Sequence, residues 1–414
     1  MTENGVLSEA IAVIEDGIVT DLSHVAQARP ASTKSISSEP IAAPSQTTAS
    51  KKTGPLKATT SENILASRAA VSDDGSVIDC GGGILVPGMI DVHIHGANGF
   101  DMMDGTVESI QQVSAFLAKT GCTGFLATSV TSSLDSLNGF IDNVKAVVGK
   151  EPGAKILGLH LEGPYLNPAY KGMQNEAFLR HPDLDEMEAI LKRADGLVKM
   201  VTVAPELPGG MELVSYLKQH GIVVSIAHSD AKYDEAKQAF GLGASHVTHC
   251  FNAMRPIHHR EPGVVIAAFE EEHVSCQAIV DNIHLHPAII RFMHRNLGPA
   301  RMVLVTDAMQ AMGMADGKYQ FGGHDVQVVK GVARLTDGTL ASSTITMDKT
   351  LRTAVLDDIP LSDAIYMTST TPASILGLTN AGFLAAGIPA DVALFDKELT
   401  LQWTMVNGCI HSPH

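Results

Sequence analysis

Met89–Gly96 reads MIDVHIHG: a short apolar run that ends in two histidines one residue apart and a glycine. The pattern returns down the chain. GFLATSV (Gly124–Val130), ILGLHLEGP (Ile156–Pro164) and VKMVTVAPE (Val198–Glu206) come first, then IVVSIAHS (Ile222–Ser229) and HVTHCFNA (His246–Ala253), then VSCQAIVD (Val274–Asp281) and MVLVTDA (Met302–Ala308). Runs this short and this apolar are strands buried on both faces, as in parallel sheets. Helix-period stretches separate them, among them VESIQQVSAFLAKT (Val107–Thr120) and DAKYDEAKQAF (Asp230–Phe240), the second with Ser229 as its expected N-cap. Eight such alternations predict an α/β fold, a TIM-like (β/α)8 barrel over residues 88–379. An open doubly wound sheet usually has fewer strands, and Gly81–Gly83 lacks the spacing of a nucleotide-binding loop.

Outward from the barrel the rhythm changes. IAVIEDGIV (Ile11–Val19) reads as a hairpin turning at Glu15–Gly17, and SVIDCGGGILVPG (Ser76–Gly88) as a second strand pair. Near the C-terminus ADVALFDKELTLQWTMVNGCI (Ala390–Ile410) is also strand-like, turning at Asn407-Gly408. Neither end can stand alone, so residues 1–87 and 380–414 are expected to form one small β-sandwich domain. Residues 29–63 are rich in Ser, Thr, Ala, Pro and Lys and are expected to be a flexible insertion.

The chain has 414 residues, 45% hydrophobic and 18% charged, with 29 basic against 45 acidic side chains and a net charge of −16. That excess of acid argues against nucleic acid as a partner, because phosphate backbones need a basic field. Five cysteines in an odd, scattered set with no CxxC pair suit a reducing compartment. With no leader-like segment and no apolar run of about 20 residues, the expectation is a cytoplasmic protein with no membrane partner.

The polar residues are informative by position. Strand one ends in His93 and His95, strand three in Glu162, strand five in His228, strand six in His249 and strand eight in Asp307. In a barrel these ends converge on one face. Alternate residues point the same way, so His93 and His95 address one centre while Ile94 packs outward. Imidazole with carboxylate is the ligand set of a divalent ion, zinc foremost, with iron, manganese or cobalt fitting as well. His160 is read as a hydrogen-bonded core histidine. Lys199, at the start of strand four, lies on the wrong face to bridge two ions, which leaves Glu162 for that place. Asp307 suits a general acid/base beside a bound ion, which lowers the pKa of water to about 7.

At this point the sequence resembles the amidohydrolase superfamily, and within it the N-acetylglucosamine-6-phosphate deacetylases. The resemblance rests on PGMIDVHIHG, GLHLEGPYLN, AHSDAKYDEA, THCFNAMRPIHHREPG, VDNIHLHP, LVTDAM, LASSTITMD and ADVALFD…VNG. It implies a homodimer that hydrolyses the acetamide of an acetylated amino-sugar phosphate to acetate and the amine. By the same resemblance Glu162, His228 and His249 hold the principal ion, His93 and His95 match a pair that can hold a second, so that one or two ions per chain are expected, and Asp307 is the acid/base. Asn252 and Ala253 contact the sugar phosphate, Arg260 the phosphate, and His284 the substrate near the acetamide or phosphate. Leu340, Ala341 and Ser342 match a loop over the sugar. Three positions depart from the pattern. Gln174 stands where a histidine is frequent, Asn282 where glycine is usual, and Ser342 in a loop that usually contains glycine. They leave glucosamine and galactosamine both open. His258, His259, Arg260 and His284 are expected to gather after strands six and seven as a local positive field. The competing readings are a cyclic-amide hydrolase or deaminase of the same superfamily and a non-catalytic scaffold.

Overall fold

The computed structural model describes residues 6–24, 64–71 and 77–414, so the expected insertion at 29–63 lies outside the described residues. Five strands come first: β1 (Val6–Glu15), β2 (Ile18–His24), β3 (Ile64–Val71), β4 (Val77–Asp79) and β5 (Ile84–Pro87). The expected pairing of the Ser76–Gly88 strands with each other does not occur. Both lie antiparallel along β3, with Ala69↔Asp79 to Val71↔Val77 on one side of a bulge and Leu65↔Leu85 and Ala66↔Ile84 on the other. Gly81 and Gly82 turn the chain out at φ of 59° and 76°, so the glycines interrupt one broad strand rather than reverse it.

The barrel strands follow. They are β6 (Met89–Ile94), then after the small hairpin β7 (Gly96–Ala97) and β8 (Phe100–Asp101), β9 (Cys122–Thr128), β10 (Lys155–Glu162), β11 (Val198–Val203), β12 (Val223–Ile226), β13 (His246–Val247), β14 (Ser275–Ile279) and β15 (Met302–Val305). Helices α1 (Val107–Leu117), α2 (Leu134–Val147), α3 (Leu184–Ala194), α4 (Gly210–Gln219), α5 (Tyr233–Leu242), α6 (Gly263–Glu270) and α7 (Pro287–Leu297) connect them. The sheet runs β15-β14-β13-β12-β11-β10-β9-β6, all parallel, which is the expected eight-stranded barrel. No helix among the described residues is long and apolar enough to cross a membrane.

Helix periodicity explains the outer ring. In α1, Thr106 caps Ser109 N at 3.1 Å, while Ile110, Val113, Phe116 and Leu117 bury one face. The start of α5 differs from expectation. Ser229 Oγ accepts from Ala231 N, three residues too early, and the helix begins after Lys232, whose N–H donates to Glu235 at 2.8 Å.

The first and last strands meet without a ladder in their bodies. Asp307 N donates to His93 O at 2.8 Å, His95 N and Gly96 N both donate to Ala308 O, and the Thr306 hydroxyl donates to Asp91. The ring is thus closed at the strand ends that carry His93, His95 and Asp307.

Between β15 and helices α8 (Met347–Leu356), α9 (Leu361–Thr368) and α10 (Thr370–Ile375) lies an unforeseen antiparallel sheet of β16 (Gly317–Phe321), β17 (His324–Val329) and β18 (Val332–Leu335). Strands β19 (Val392–Phe395), β20 (Leu401–Val406) and β21 (Cys409–His411) then join the N-terminal strands in the order β2-β1-β3-β5-β19-β20-β21. As expected, both chain ends build one β unit. It curls over its own core of Ile14, Val19, Leu85, Val392, Leu394 and Met405. Its edge β2 meets the chain ahead of β19, with Val19 N donating to Ile388 O at 2.9 Å.

Candidate active site

Glu162 ends β10 with its carboxylate between four imidazoles. Oε1 lies 3.3 Å from His228 Nε2, 3.0 Å from His249 Nε2 and 3.6 Å from His93 Nε2; Oε2 lies 3.6 Å from His95 Nε2. The two histidine pairs approach through the same atoms, 3.0 Å between the Nε2 atoms of His228 and His249 and 3.1 Å between those of His93 and His95. Two ligand groups therefore share Glu162: one with His93 and His95, the other with His228 and His249, all buried.

The far side of each ring decides what these nitrogens offer. His228 Nδ1 donates to Tyr170 O at 2.9 Å, His249 Nδ1 to Asn252 O at 3.2 Å, and His93 Nδ1 to Gln277 Oε1 at 2.9 Å. Since each of these partners is an acceptor, Nδ1 carries the hydrogen and the Nε2 lone pair faces inward. A zinc–nitrogen bond of about 2.0–2.1 Å in tetrahedral geometry sets ligand atoms roughly 3.3 Å apart, so this donor set fits a divalent ion in both groups.

Electrostatics agree with that fit. Burial works against charge on Glu162, yet His93, His228 and His249 hold its carboxyl well below the usual range. Asp307 is likewise held down, by His93 and His95 against the cost of burial. Burial also opposes charge on His93, but Asp307 and Glu162 outweigh it and push the imidazole up to about 10. A negative field strong enough to hold a proton on His93 is one that a bound cation balances in the proton's place.

Above the cluster lies a cavity of about 230 Å³ whose walls include Glu162, His95, His228, His249, Asp307, Asn252, Ala253, His284, Leu340, Ala341 and Ser342. Asp307 Oδ1 sits 3.2 Å from His95 Nε2 and 3.4 Å from His93 Nε2. Ser342 Oγ donates to Asp307 O at 2.5 Å, which ties the covering loop to the end of strand eight. His284 Nδ1 donates to Asp281 Oδ2 at 2.7 Å; burial alone would keep the ring neutral, but Asp281 outweighs it and raises its pKa.

Two expected substrate residues are not brought into the cavity. Gln174 is buried and both ends of its amide are engaged: Oε1 accepts from Thr131 N at 2.8 Å and Nε2 donates to Glu162 Oε2 at 2.6 Å. It orients the shared carboxylate instead of lining the pocket. Arg260 is exposed, on the His258–Glu261 turn, with its guanidinium against His259 Nε2 at 2.7 Å. The loop from Met254 to Pro262 carries His258, His259 and Arg260 outward, so only His284 of the expected positive group reaches the cavity.

The side readings resolve cleanly. His160 is taken up by Val92 O and the Thr202 hydroxyl, and exposed Lys199 by Gly196 O. Asn282 adopts φ of 59°, where asparagine is the next choice after glycine, and its amide turns to Asp357.

Four cavity residues, His228, His249, Ala253 and Asp307, hold positive φ of 46°, 31°, 50° and 46°. Such backbone costs on the order of 1–3 kcal/mol per residue and turns each side chain over the barrel mouth. Sequence reasoning missed Gln277, Asp281 and Phe321. The first had a signal, a lone amide inside the apolar run VSCQAIV. Phe321 had none; it reaches the cavity only because the β16–β18 sheet folds over the mouth, its ring 5.2 Å from that of His95.

Known proteins bear on this geometry. The amidohydrolase family model matches residues 84–410. An N-acetylglucosamine-6-phosphate deacetylase of Lysinibacillus sphaericus is 38% identical over 335 residues, 80% of this chain and 86% of that protein. An N-acetylgalactosamine-6-phosphate deacetylase of Escherichia coli O157:H7 is 34% identical, over 80% and 88%. Among solved structures, the D267A mutant of the Mycobacterium smegmatis N-acetyl-D-glucosamine-6-phosphate deacetylase, in complex with N-acetyl-D-glucosamine-6-phosphate, superposes with a TM-score of 0.80 at 31% identity, covering 98% of each chain. With a matching barrel, a matching family model and relatives of this closeness along most of its length, the chain belongs to the amidohydrolase family, among its N-acetylglucosamine-6-phosphate deacetylases.

Proposed function

We propose that this protein hydrolyses the acetamide of N-acetylglucosamine 6-phosphate to acetate and glucosamine 6-phosphate in amino-sugar breakdown. The observation that carries the reading is the shared carboxylate of Glu162 between two histidine pairs, with ionised Asp307 beside it on the cavity wall. His228, His249 and Glu162 would hold one divalent ion, zinc by donor type, and His93, His95 and Glu162 a second. A bound ion supplies Lewis acidity, lowering the pKa of water toward about 7 and polarising a carbonyl.

The chain's own groups do the rest. Asp307 accepts a proton from the attacking water and delivers it to the amine nitrogen as the C–N bond breaks. His284, whose charged form Asp281 favours, donates from the cavity wall to the acetamide oxygen or the phosphate. Asn252 and Ala253 line the sugar side, and Leu340, Ala341 and Ser342 close over it and exclude water.

Arg260 retains the phosphate role in a second way. Ile257, three residues before it on the same loop, is exposed, as are Ile283 in the loop after β14 and Phe292 in α7. Covering this face with a second copy would make a homodimer and bring the arginine's fork to a partner's phosphate. The five cysteines form no disulfide, which supports a cytoplasmic setting.

Acetate release from N-acetylglucosamine 6-phosphate, its galactosamine epimer and the unphosphorylated sugar, after zinc reconstitution, tests the reading. The glucosamine phosphate is expected to be turned over fastest. Preference for the galactosamine phosphate would favour the activity named for the Escherichia coli relative. No acetate from any of them would sink the assignment.

A further inference from the structure

The geometry points to Gln277, in the middle of β14, as the positioning residue that gives this site its second ion position. The inference rests on the two-ion reading above. Gln277 is fully buried, and its Oε1 receives two hydrogen bonds: Nδ1–H of His93 at 2.9 Å and the backbone N–H of His249 at 3.2 Å. A backbone N–H can only donate, so it fixes which end of the amide is the oxygen. The remaining Nε2 turns to the sulfur of Met200 at 3.7 Å.

With the oxygen fixed, His93 has one choice. Its Nδ1 must carry the hydrogen, which leaves the Nε2 lone pair facing His95, Glu162 and Asp307. The two ligand groups differ here. His228 and His249 are oriented by carbonyls of their own loops, Tyr170 O and Asn252 O. In the other group, His95 Nδ1 is buried with no hydrogen-bond partner among the described residues, so its ring receives no such instruction. Orientation of the His93/His95 pair therefore falls to one side chain. Because the same oxygen also holds the backbone of His249, Gln277 sets the spacing between the two groups.

The experiment uses the full chain, stripped with a chelator and titrated with cobalt(II), followed by calorimetry and visible absorption, with the apo melting temperature as a check on folding. Wild type is expected to take up two ions per chain. In Gln277→Leu, the weaker association falls about 10- to 100-fold, the usual effect of removing an outer partner of a metal-bound histidine, while the tighter one stays within about threefold. Gln277→Glu restores the second ion, because either carboxylate oxygen accepts both hydrogen bonds. Gln277→Asn keeps a buried amide but draws the oxygen back by one methylene; it is expected to show the same selective loss and serves if the leucine variant does not fold. Two ions bound with wild-type affinities in both the leucine and asparagine variants would overturn the assignment to Gln277 alone. So would a parallel weakening of both ions that glutamate does not rescue. A wild-type chain that takes one ion would overturn the two-ion reading, and this inference with it.

Discussion

Asp281→Asn separates charge from hydrogen bonding at His284. In the native chain Asp281 Oδ1 accepts from Ile283 N at 2.9 Å and His284 N at 2.8 Å, while Oδ2 holds His284 Nδ1 at 2.7 Å. Asparagine keeps a carbonyl for both backbone donors and turns an NH2 toward Nδ1, so the ring stays in place, still donates from Nε2, and becomes neutral. The loss is one buried charge-assisted hydrogen bond, about 1.5–3 kcal/mol. At 1.36 kcal/mol per decade this is roughly 10- to 150-fold in the ring's protonation equilibrium. The sign follows from the shifts. His284 is raised, so its contribution is complete below its unfolded value of 6.5 and disappears as pH climbs through the raised one. Asp281 is lowered from 3.8, so its contribution disappears only as pH falls through that lowered value. The assay is kcat/KM for the phosphorylated sugar against pH, with metal content measured alongside. The alkaline arm of the variant is expected to move toward acid by that same factor in proton concentration, with metal content unchanged. Superimposable profiles, or a loss equal at every pH, would refute a charged His284 in substrate binding.

Three further outcomes follow from named contacts. Glu162→Gln removes the charge both ligand groups share, so affinity for either ion drops by more than about 100-fold, read by metal analysis of the purified variant. Gln174→Leu leaves Thr131 N–H and Glu162 Oε2 without their partner; it costs about 2–5 kcal/mol in urea unfolding, whereas an effect confined to KM would restore Gln174 to the pocket wall. Gly153→Ala drives a Cβ to 2.3 Å from Ser114 O, at the far end of the barrel from the cavity; it destabilises by about 1–3 kcal/mol and leaves kcat and KM unchanged.

The barrel was legible because its strands are short, buried on both sides and punctuated by polar residues at one end. His93 and His95 show this well: the two-residue period of a strand sets both on one side, and their Nε2 atoms come to 3.1 Å. Glu162, His228, His249 and Asp307 were legible from their place at strand ends. The left-handed backbone that aims the last three was not, because histidine and aspartate do not announce positive φ as glycine does. Arg260 marks a different limit: a motif names a residue type, while the path of a nine-residue loop decides which surface it reaches. β3 went unread because ILASRAAV lacks the alternation and the aromatic or branched content of a typical strand. Gln277 was visible as an amide in an apolar run, but its partners lie on β6 and just past the end of β13 and could not be paired without the ring.

The closure at the catalytic rim orders the life of the nascent chain. His93, His95, Glu162, His228 and His249 all precede residue 250, so both ligand groups are encoded before the final third of the protein leaves the ribosome. The acid/base belongs to a later moment. Asp307 reaches His93 and His95 only when the eighth strand docks against the first, through the bonds from Asp307 N to His93 O and from His95 N to Ala308 O. A truncated or half-docked chain can thus capture metal while being unable to move a proton, and competence for hydrolysis certifies that the barrel is complete.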